Sequence, residues 1–305
     1  MDIVQIVKKE LEEIIKKKTP SHAYLFVGSK GTNKRANALR IAKGMLCEKG
    51  GDDPHCSCSS CKRVEESNHP DFREIGKDGQ SIKIDDIRFF QRDIAKKPYE
   101  GDYKIYLIYN GQTMKAPAQN ALLKMLEEPL NNRIIILLST SKESLLPTIL
   151  SRCQVFYFTP LKYDAFYEEM QRQFGYGDER IRSLFQMTQG RLGEAMHYIE
   201  HPEEWTFYEE IKKDLDRVLE GDKNRIFTLG RQLRENKVDE REVTDFLLMY
   251  FRDLMMDALE GKQEKKKDLT IEKINDIIEG IFAWQGTINI NVNKQLQLEN
   301  LLLKI

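Results

Sequence analysis

Three groups of residues in this sequence carry side chains able to do chemistry. The first is "GSKGTNKR", Gly28 to Arg35, which follows the apolar run Ala23-Tyr24-Leu25-Phe26-Val27 and precedes a helical pattern. It approaches the phosphate-binding loop G-x-x-x-x-G-K-[ST], in which backbone N–H groups and a lysine hold phosphates and a hydroxyl holds Mg²⁺. Gly28, Gly31 and Lys34 stand where such a loop needs them, but Asn33 replaces the last glycine and Arg35 replaces the hydroxyl. Asparagine enters positive φ more readily than most residues, so the turn tolerates Asn33. Arg35 instead brings a second cation to the metal's place. The acids that complete such a site belong at the end of a neighbouring strand, one for the metal and one for the attacking water. After "YKIYLIY" the sequence has Asn110 and Gly111 there. An empty turn, a nucleotide held without hydrolysis and true turnover are the three states open to this loop. The two losses argue against the third, so ATP is expected to be unbound, or bound and not hydrolysed.

The second group is "CEKGGDDPHCSCSSC", which places Cys47, Cys56, Cys58 and Cys61 within fifteen residues, while Cys153 stands alone. Such clustering in a chain of this size points to a metal and not to disulfides. Four thiolates suit tetrahedral Zn²⁺, and Cys58-Ser59-Ser60-Cys61 has the C-x₂-C spacing of a zinc knuckle. Two ligand sets fit: Cys47, Cys56, Cys58 and Cys61, or Cys47, His55, Cys58 and Cys61. No acid suited to catalysis lies close by, so the metal is expected to be structural. The third group is Ser151-Arg152-Cys153, a fixed cation just ahead of an apolar run. On spacing alone, Arg152 pairs with an acid near a strand end. Cys153 reads as a small core residue.

The elements that must position these groups are read from periodicity. Helical spacing of Ile3, Val4, Val7, Leu11, Ile14 and Ile15 gives a first helix ending before Thr19-Pro20. Strands are expected at Ala23–Val27, Asp71–Ile75, Tyr103–Asn110, Arg133–Thr140 and Gln154–Phe158, with helices after the glycine loop, at "IDDIRFFQRDIAKK" and at "AQNALLKMLEE". Continuous apolar strands alternating with helices imply an α/β fold with a parallel sheet covered on both faces. After Thr159-Pro160 the pattern is helical, with breaks at "GYGD", "TQGRLG" and His201-Pro202 and a polar loop from Gly261 to Asp268. The chain of 305 residues has room for two or three domains. Its formal charge of −1 excludes a global field for nucleic acid. No apolar stretch reaches the ~18–20 residues that cross a bilayer, and the charged N-terminus is no secretory signal. A cytoplasmic protein without membrane contact is expected.

"SHAYLFVGSKGTNKRANALRIAKGMLC", "NHPDF", "SIKIDDIR", "APAQNALLKMLEEP" and "LLPTILSRCQVF" follow one another in order. In this they resemble the clamp-loader subunits of bacterial DNA polymerase III, of the delta-prime type, within the AAA+ superfamily. The likeness is close over residues 20–160 and extends beyond them only in the helical layout. It implies an AAA+ nucleotide-fold domain over 1–160 with a zinc insertion at 47–61, a three-helix lid over 161–202, and a helical collar over 203–305. It implies a subunit without ATPase activity, in a hetero-pentamer with motor subunits of gamma/tau type and delta, meeting the sliding clamp and primed DNA through the assembly. Arg152 then becomes an arginine finger, offered in trans to ATP held by the next subunit. In active relatives a sensor arginine follows Gly-x-x; here "GRLGEA" has Gly193 at that place, with Arg191 two residues before it. Thr140 stands where relatives carry a nucleotide-sensing polar residue and is expected to make a structural hydrogen bond only. The family's cysteine spacing resembles C-x₈-C-x₂-C-x₂-C. This chain departs from it at Cys56-x-Cys58, where His55 would restore the x₂ interval.

Two other readings remain. An ATP-hydrolysing motor subunit of the same assembly requires magnesium ligands that Arg35, Asn110 and Gly111 do not supply. A zinc-containing nucleic-acid-binding module requires a stripe of interleaved basic and aromatic residues, which the sequence lacks. The apolar segments "VTDFLLMYFRDLMMDAL" and "LQLENLLLKI" serve either a helical core or contacts between subunits.

Overall fold

The computed structural model describes residues 3–51, 53, 56–77, 81–235, 240–259, 269–287 and 294–303. The polar loop expected over 261–268 and the alternative ligand His55 lie outside them. Packing divides the chain into two compact units, 1–197 and 198–305.

In the first unit, helix α1 (Ile3–Lys17) leads to strand β1 (Ala23–Val27), then α2 (Lys34–Leu46) and a short α3 (Ser59–Glu65). Strand β2 (Phe72–Ile75), α4 (Ile84–Ile94), β3 (Lys104–Ile108), α5 (Ala116–Glu127), β4 (Arg133–Ser139), α6 (Pro147–Leu150) and β5 (Gln154–Tyr157) follow. The five strands form one parallel sheet in the order β2-β3-β4-β1-β5. Every residue of β1, β3 and β4 is buried, as continuous apolar runs require when helices cover both faces. Alternation within β1 divides its side chains between two cores. Tyr24 and Phe26 pack with Leu11 and Ile41 on the α1–α2 face, whereas Leu25 and Val27 pack with Ile87 and Leu122 on the α4–α5 face.

Phe26 is fully buried, with ring centroids 5.7 Å from Phe156 and 4.8 Å from Phe158. Phe26→Ala is expected to destabilise this unit by about 3–5 kcal/mol in chemical denaturation, through lost transfer energy and the cavity left behind.

The second strand starts at Phe72, one residue later than the sequence suggests. Asp71 is fully buried and serves as an anchor, its carboxylate accepting the N–H groups of Tyr99, Glu100 and Gly101 at 2.6, 2.8 and 3.0 Å. The cysteine segment is likewise more than an interruption, since α3 begins within it.

Three further helices complete the unit: α7 (Tyr163–Phe174), α8 (Asp178–Thr188) and α9 (Leu192–Glu200). The second unit comprises α10 (Pro202–Leu219), α11 (Asn224–Glu235), α12 (Glu240–Leu259), α13 (Ile271–Thr287) and α14 (Lys294–Leu302). Pro202 opens α10 at a position where its missing N–H is no loss. Tyr208, Ile211, Phe246, Phe251, Ile277 and Leu298 are among its buried residues, and Tyr250 donates its hydroxyl to Asp216 at 2.7 Å. Among the described residues no helix is long and apolar enough to cross a membrane.

Candidate functional site

The loop after β1 is closed by its own atoms. Lys34 lies in the first turn of α2 and is buried. Its ammonium donates at 2.6 Å to the Gly28 carbonyl and at 2.6 Å to the Ser29 carbonyl, so it turns into the loop. Thr32 Oγ1 donates to the same Ser29 carbonyl at 2.8 Å. Asn33 takes the left-handed conformation, φ 66°, that a glycine usually supplies. Gly28 has no room for a side chain, because a Cβ there would lie 2.1 Å from the Phe158 carbonyl oxygen.

Burial pushes the Lys34 ammonium down to about 8 from its ordinary 10.5. Between those values the unfolded chain binds more protons than the folded one, so the stability conferred at this position rises with pH. Paired urea titrations of wild type and Lys34→Met, at pH about 7 and about 9.5, are expected to show the difference moving in favour of wild type as pH rises. A difference that stays flat would mean that Lys34 is not desolvated.

The place of the metal is filled as well. Arg35 Nε donates to the Tyr109 hydroxyl at 2.9 Å, and its Nη2 lies 3.6 Å from Glu74 Oε1. Tyr109 and Ser67 both donate to the Glu74 carboxylate, and Lys77 pairs with it at 2.9 Å. Burial alone would raise the Glu74 carboxyl, but Ser67, Tyr109 and Lys77 hold it below the usual carboxylate range. Asn110, past the end of β3, uses its side-chain amide on the Gly76 carbonyl at 3.2 Å. Arg35 therefore shares an acid from β2 with Lys77, where a working site would have one acid for Mg²⁺ and one for the attacking water.

The N-terminus of α9 closes the loop from the lid side. Gly193 and Glu194 donate their N–H groups to the Gly31 carbonyl at 2.8 and 3.2 Å. A Cβ on Gly193 would stand 2.9 Å from that oxygen and 3.0 Å from the Asn33 nitrogen. No arginine fits at that place without lifting the helix. Arg191 does not substitute for it, because its guanidinium is bonded to the Glu194 carboxylate. Thr140 makes its bond through the backbone, its N–H donating to Gln112 Oε1 at 3.1 Å.

Arg152 stands at the other end of the sheet. β5 runs parallel to β1 with Tyr24 opposite Gln154 and Val27 opposite Tyr157. The arginine precedes β5 while the glycine loop follows β1, a separation of roughly 20 Å at about 3.3 Å per strand residue. Its guanidinium pairs with Glu127 at 3.0 Å, donates to the Thr148 carbonyl at 3.0 Å and remains about one-third exposed. Cys153, expected in the core, is half-buried, and burial pushes its thiol up to about 12.

The four clustered thiols converge. Cys47 Sγ is 3.7 Å from Cys56 Sγ and 3.9 Å from Cys58 Sγ, and all four sulfurs lie within 4.8 Å of one another. A Zn²⁺ with Zn–S bonds of about 2.3 Å places its sulfurs ~3.8 Å apart, so this donor set fits the ion. Burial would raise the Cys58 thiol, yet backbone N–H groups of Cys61 and Glu48 and the neighbouring thiols bring it down to about 6. Ser60 ties the knuckle to the end of α2 by donating to the Leu46 carbonyl at 2.6 Å. An open cleft bounded by Cys47, Gly51, Asp53 and Cys56 gives a metal access from solvent.

Glu74, Tyr109, Glu194 and Glu127 were not legible as parts of these sites. An acid within the short strand β2 and two acids at the C-terminus of α5 are the signals that point to Glu74 and Glu127.

Sheet order, glycine loop and helical lid define an AAA+ fold of the P-loop type. The profile of the family described as DNA polymerase III, delta subunit, matches residues 3–162, just over half of the chain. The DNA polymerase III subunit delta′ of Bacillus subtilis is 32% identical over 98% of this chain and 95% of its own length. The subunit tau of the same organism is 29% identical over 89% of this chain, which spans 53% of that relative. A crystal structure of a gamma subunit-related protein from Thermotoga maritima shares the fold, with a TM-score of 0.63 at 19% identity over 97% of each chain. The chain belongs to the delta-prime family of DNA polymerase III clamp-loader subunits.

Proposed function

We propose that this subunit is non-catalytic: its own loop hydrolyses nothing, and Arg152 completes the ATP site of a neighbouring subunit during loading of the sliding clamp onto primed DNA. The reading rests on one contrast between the two ends of the sheet. At the loop end, Lys34 is turned onto carbonyls, and Arg35, a cation that cannot ligate Mg²⁺, stands at the position of the metal-binding hydroxyl. At the opposite end Arg152 presents a partly exposed guanidinium that its own loop cannot use. A planar cation of this kind reaches γ-phosphate oxygens and offsets charge developing in the transition state.

Cys47, Cys56, Cys58 and Cys61 would hold a structural Zn²⁺, which supplies cross-linking of the insertion and no step of the reaction. The working division remains a nucleotide-fold domain at 1–160, a lid at 161–202 and a collar at 203–305. Exposed Phe227, Met256, Leu259 and Phe282 give the last of these apolar surface for contact with other clamp-loader subunits.

The test is an ATPase assay with primed DNA and sliding clamp, comparing this chain alone, its partner subunits alone, and the mixture. No turnover alone with stimulation in the mixture supports the proposal. Turnover by the chain alone would make it a motor subunit of gamma/tau type.

A further inference from the structure

Beyond Arg152 itself, the structure assigns a role to Glu127, the last residue of α5. We infer that Glu127 is a positioning residue. Its carboxylate fixes the Arg152 guanidinium at the subunit surface, so that the remaining N–H groups meet a neighbour's γ-phosphate already oriented. The inference rests on the reading of Arg152 as a finger and deepens it.

Two independent observations carry it. The first is the geometry of the guanidinium. Nη2 pairs with Glu127 Oε1 at 3.0 Å, while Nη1 donates to the Thr148 carbonyl at 3.0 Å and to Ser151 Oγ at 3.4 Å. Two edges of the planar group are thus engaged from different elements, α5 and α6. Its Nε–H and one Nη2 hydrogen are left for another acceptor, and the side chain is 34% exposed to receive one. An arginine searching through its rotamers loses more freedom on meeting a phosphate than one held in place, so pre-orientation is realised as rate.

The second observation is that Glu127 breaks a local rule. A helix C-terminus carries partial negative charge and favours lysine or arginine in its last turn. Yet α5 ends in Glu127 and Glu128, ahead of Pro129. Exposed ion pairs contribute little to folding, so a wish for stability does not account for an acid at the wrong pole of the helix. Local rules of this kind are broken mainly at functional positions. Here the Glu127 carboxylate supplies an anionic partner to one cation, and that cation is Arg152.

The test uses the reconstituted clamp loader with primed DNA and clamp. Its arms are wild type, Glu127→Ala, Glu127→Gln, Arg152→Ala and the double variant Glu127→Ala/Arg152→Ala. Glu127→Ala is expected to lower the stimulated kcat about tenfold with KM for ATP unchanged. Glu127→Gln keeps an acceptor oxygen and should recover part of the loss. In the Arg152→Ala background, Glu127→Ala should have no further effect, because the two act as one unit. Thermal melting and assembly of Glu127→Ala should match wild type, which separates positioning from a structural role.

Wild-type stimulation with Glu127→Ala, while Arg152→Ala loses it, would overturn the inference and leave the finger standing. Equal and additive losses in both backgrounds would overturn it too. Full stimulation with Arg152→Ala would remove the finger reading itself, and this inference with it.

Discussion

Arg152→Ala in the assembled clamp loader is expected to remove nearly all of the ATPase increment that this subunit adds. A guanidinium supplied in trans is worth about 10³–10⁵ in rate at the site it serves, so that site should fall close to its unassisted level. The argument depends on placement. Arg152 lies at the end of the sheet where the strands begin, whereas nucleotide chemistry in this fold sits where they end. It can therefore act only on a molecule bound elsewhere. Arg152→Lys should recover a small part of the loss, because lysine keeps the charge and loses the planar fork. Stability offers a control. The pair with Glu127 is exposed on both sides and contributes about 0–1 kcal/mol, so a melting temperature close to wild type is expected. A variant that melts early and stimulates poorly would point to damage instead. A well-folded variant with full stimulation would reduce the subunit to a scaffold.

Removal of the proposed Zn²⁺ is the second large effect to expect. Structural zinc sites bind with apparent free energies of about 10–16 kcal/mol in small peptides, and that energy is folding energy. The insertion is expected to copurify with about one Zn²⁺ per chain and to lose its fold on treatment with a strong chelator. The consequence should spread inward. Leu46 and Val64 belong to the core that includes Phe26 and Ile41, and Ser60 fastens the knuckle to the end of α2. A lowered melting temperature and early proteolytic cutting near residues 47–61 are the expected readouts. The ligand set can be read by substitution. The four cysteine sulfurs already stand within 4.8 Å of one another, so Cys56→Ser should lose the metal while His55→Ala keeps it. The reverse pattern would install the histidine set. A chain that carries no metal and melts unchanged after chelation would leave four reduced thiols and no zinc site.

Much of the sheet was legible because burial on both faces leaves an unmistakable mark. β1, β3 and β4 are unbroken apolar runs bounded by polar turns, and their edges were read to within two residues. The departures from the phosphate-loop spelling were legible for a different reason: Arg35, Asn110 and Gly111 are chemical identities read directly from the sequence. What surrounds them in the fold was not legible. Glu74 reaches Arg35 across 39 positions of sequence, and only the pairing of β2 with β3 brings it beside Tyr109. The docking of α9 on Gly31 is likewise a long-range event, made of backbone bonds that any sequence could make. Glu127 lies in a string that reads as an ordinary helix ending. Its relation to Arg152 depends on α5 and α6 arriving at the same end of the sheet.

The glycines of the loop carry a lesson about signatures. A search by spelling counts Gly28, Gly31 and Lys34 as three votes for a nucleotide. In the folded chain each has a reason of its own: Gly28 leaves no room for a Cβ against the carbonyl of Phe158, Gly31 takes a φ of +81°, and Lys34 is bonded to two carbonyls of the loop. Replacement of any of them would disturb the fold whether or not ATP ever visits. Packing alone is thus enough to demand these residue types, so their presence does not by itself report a bound phosphate.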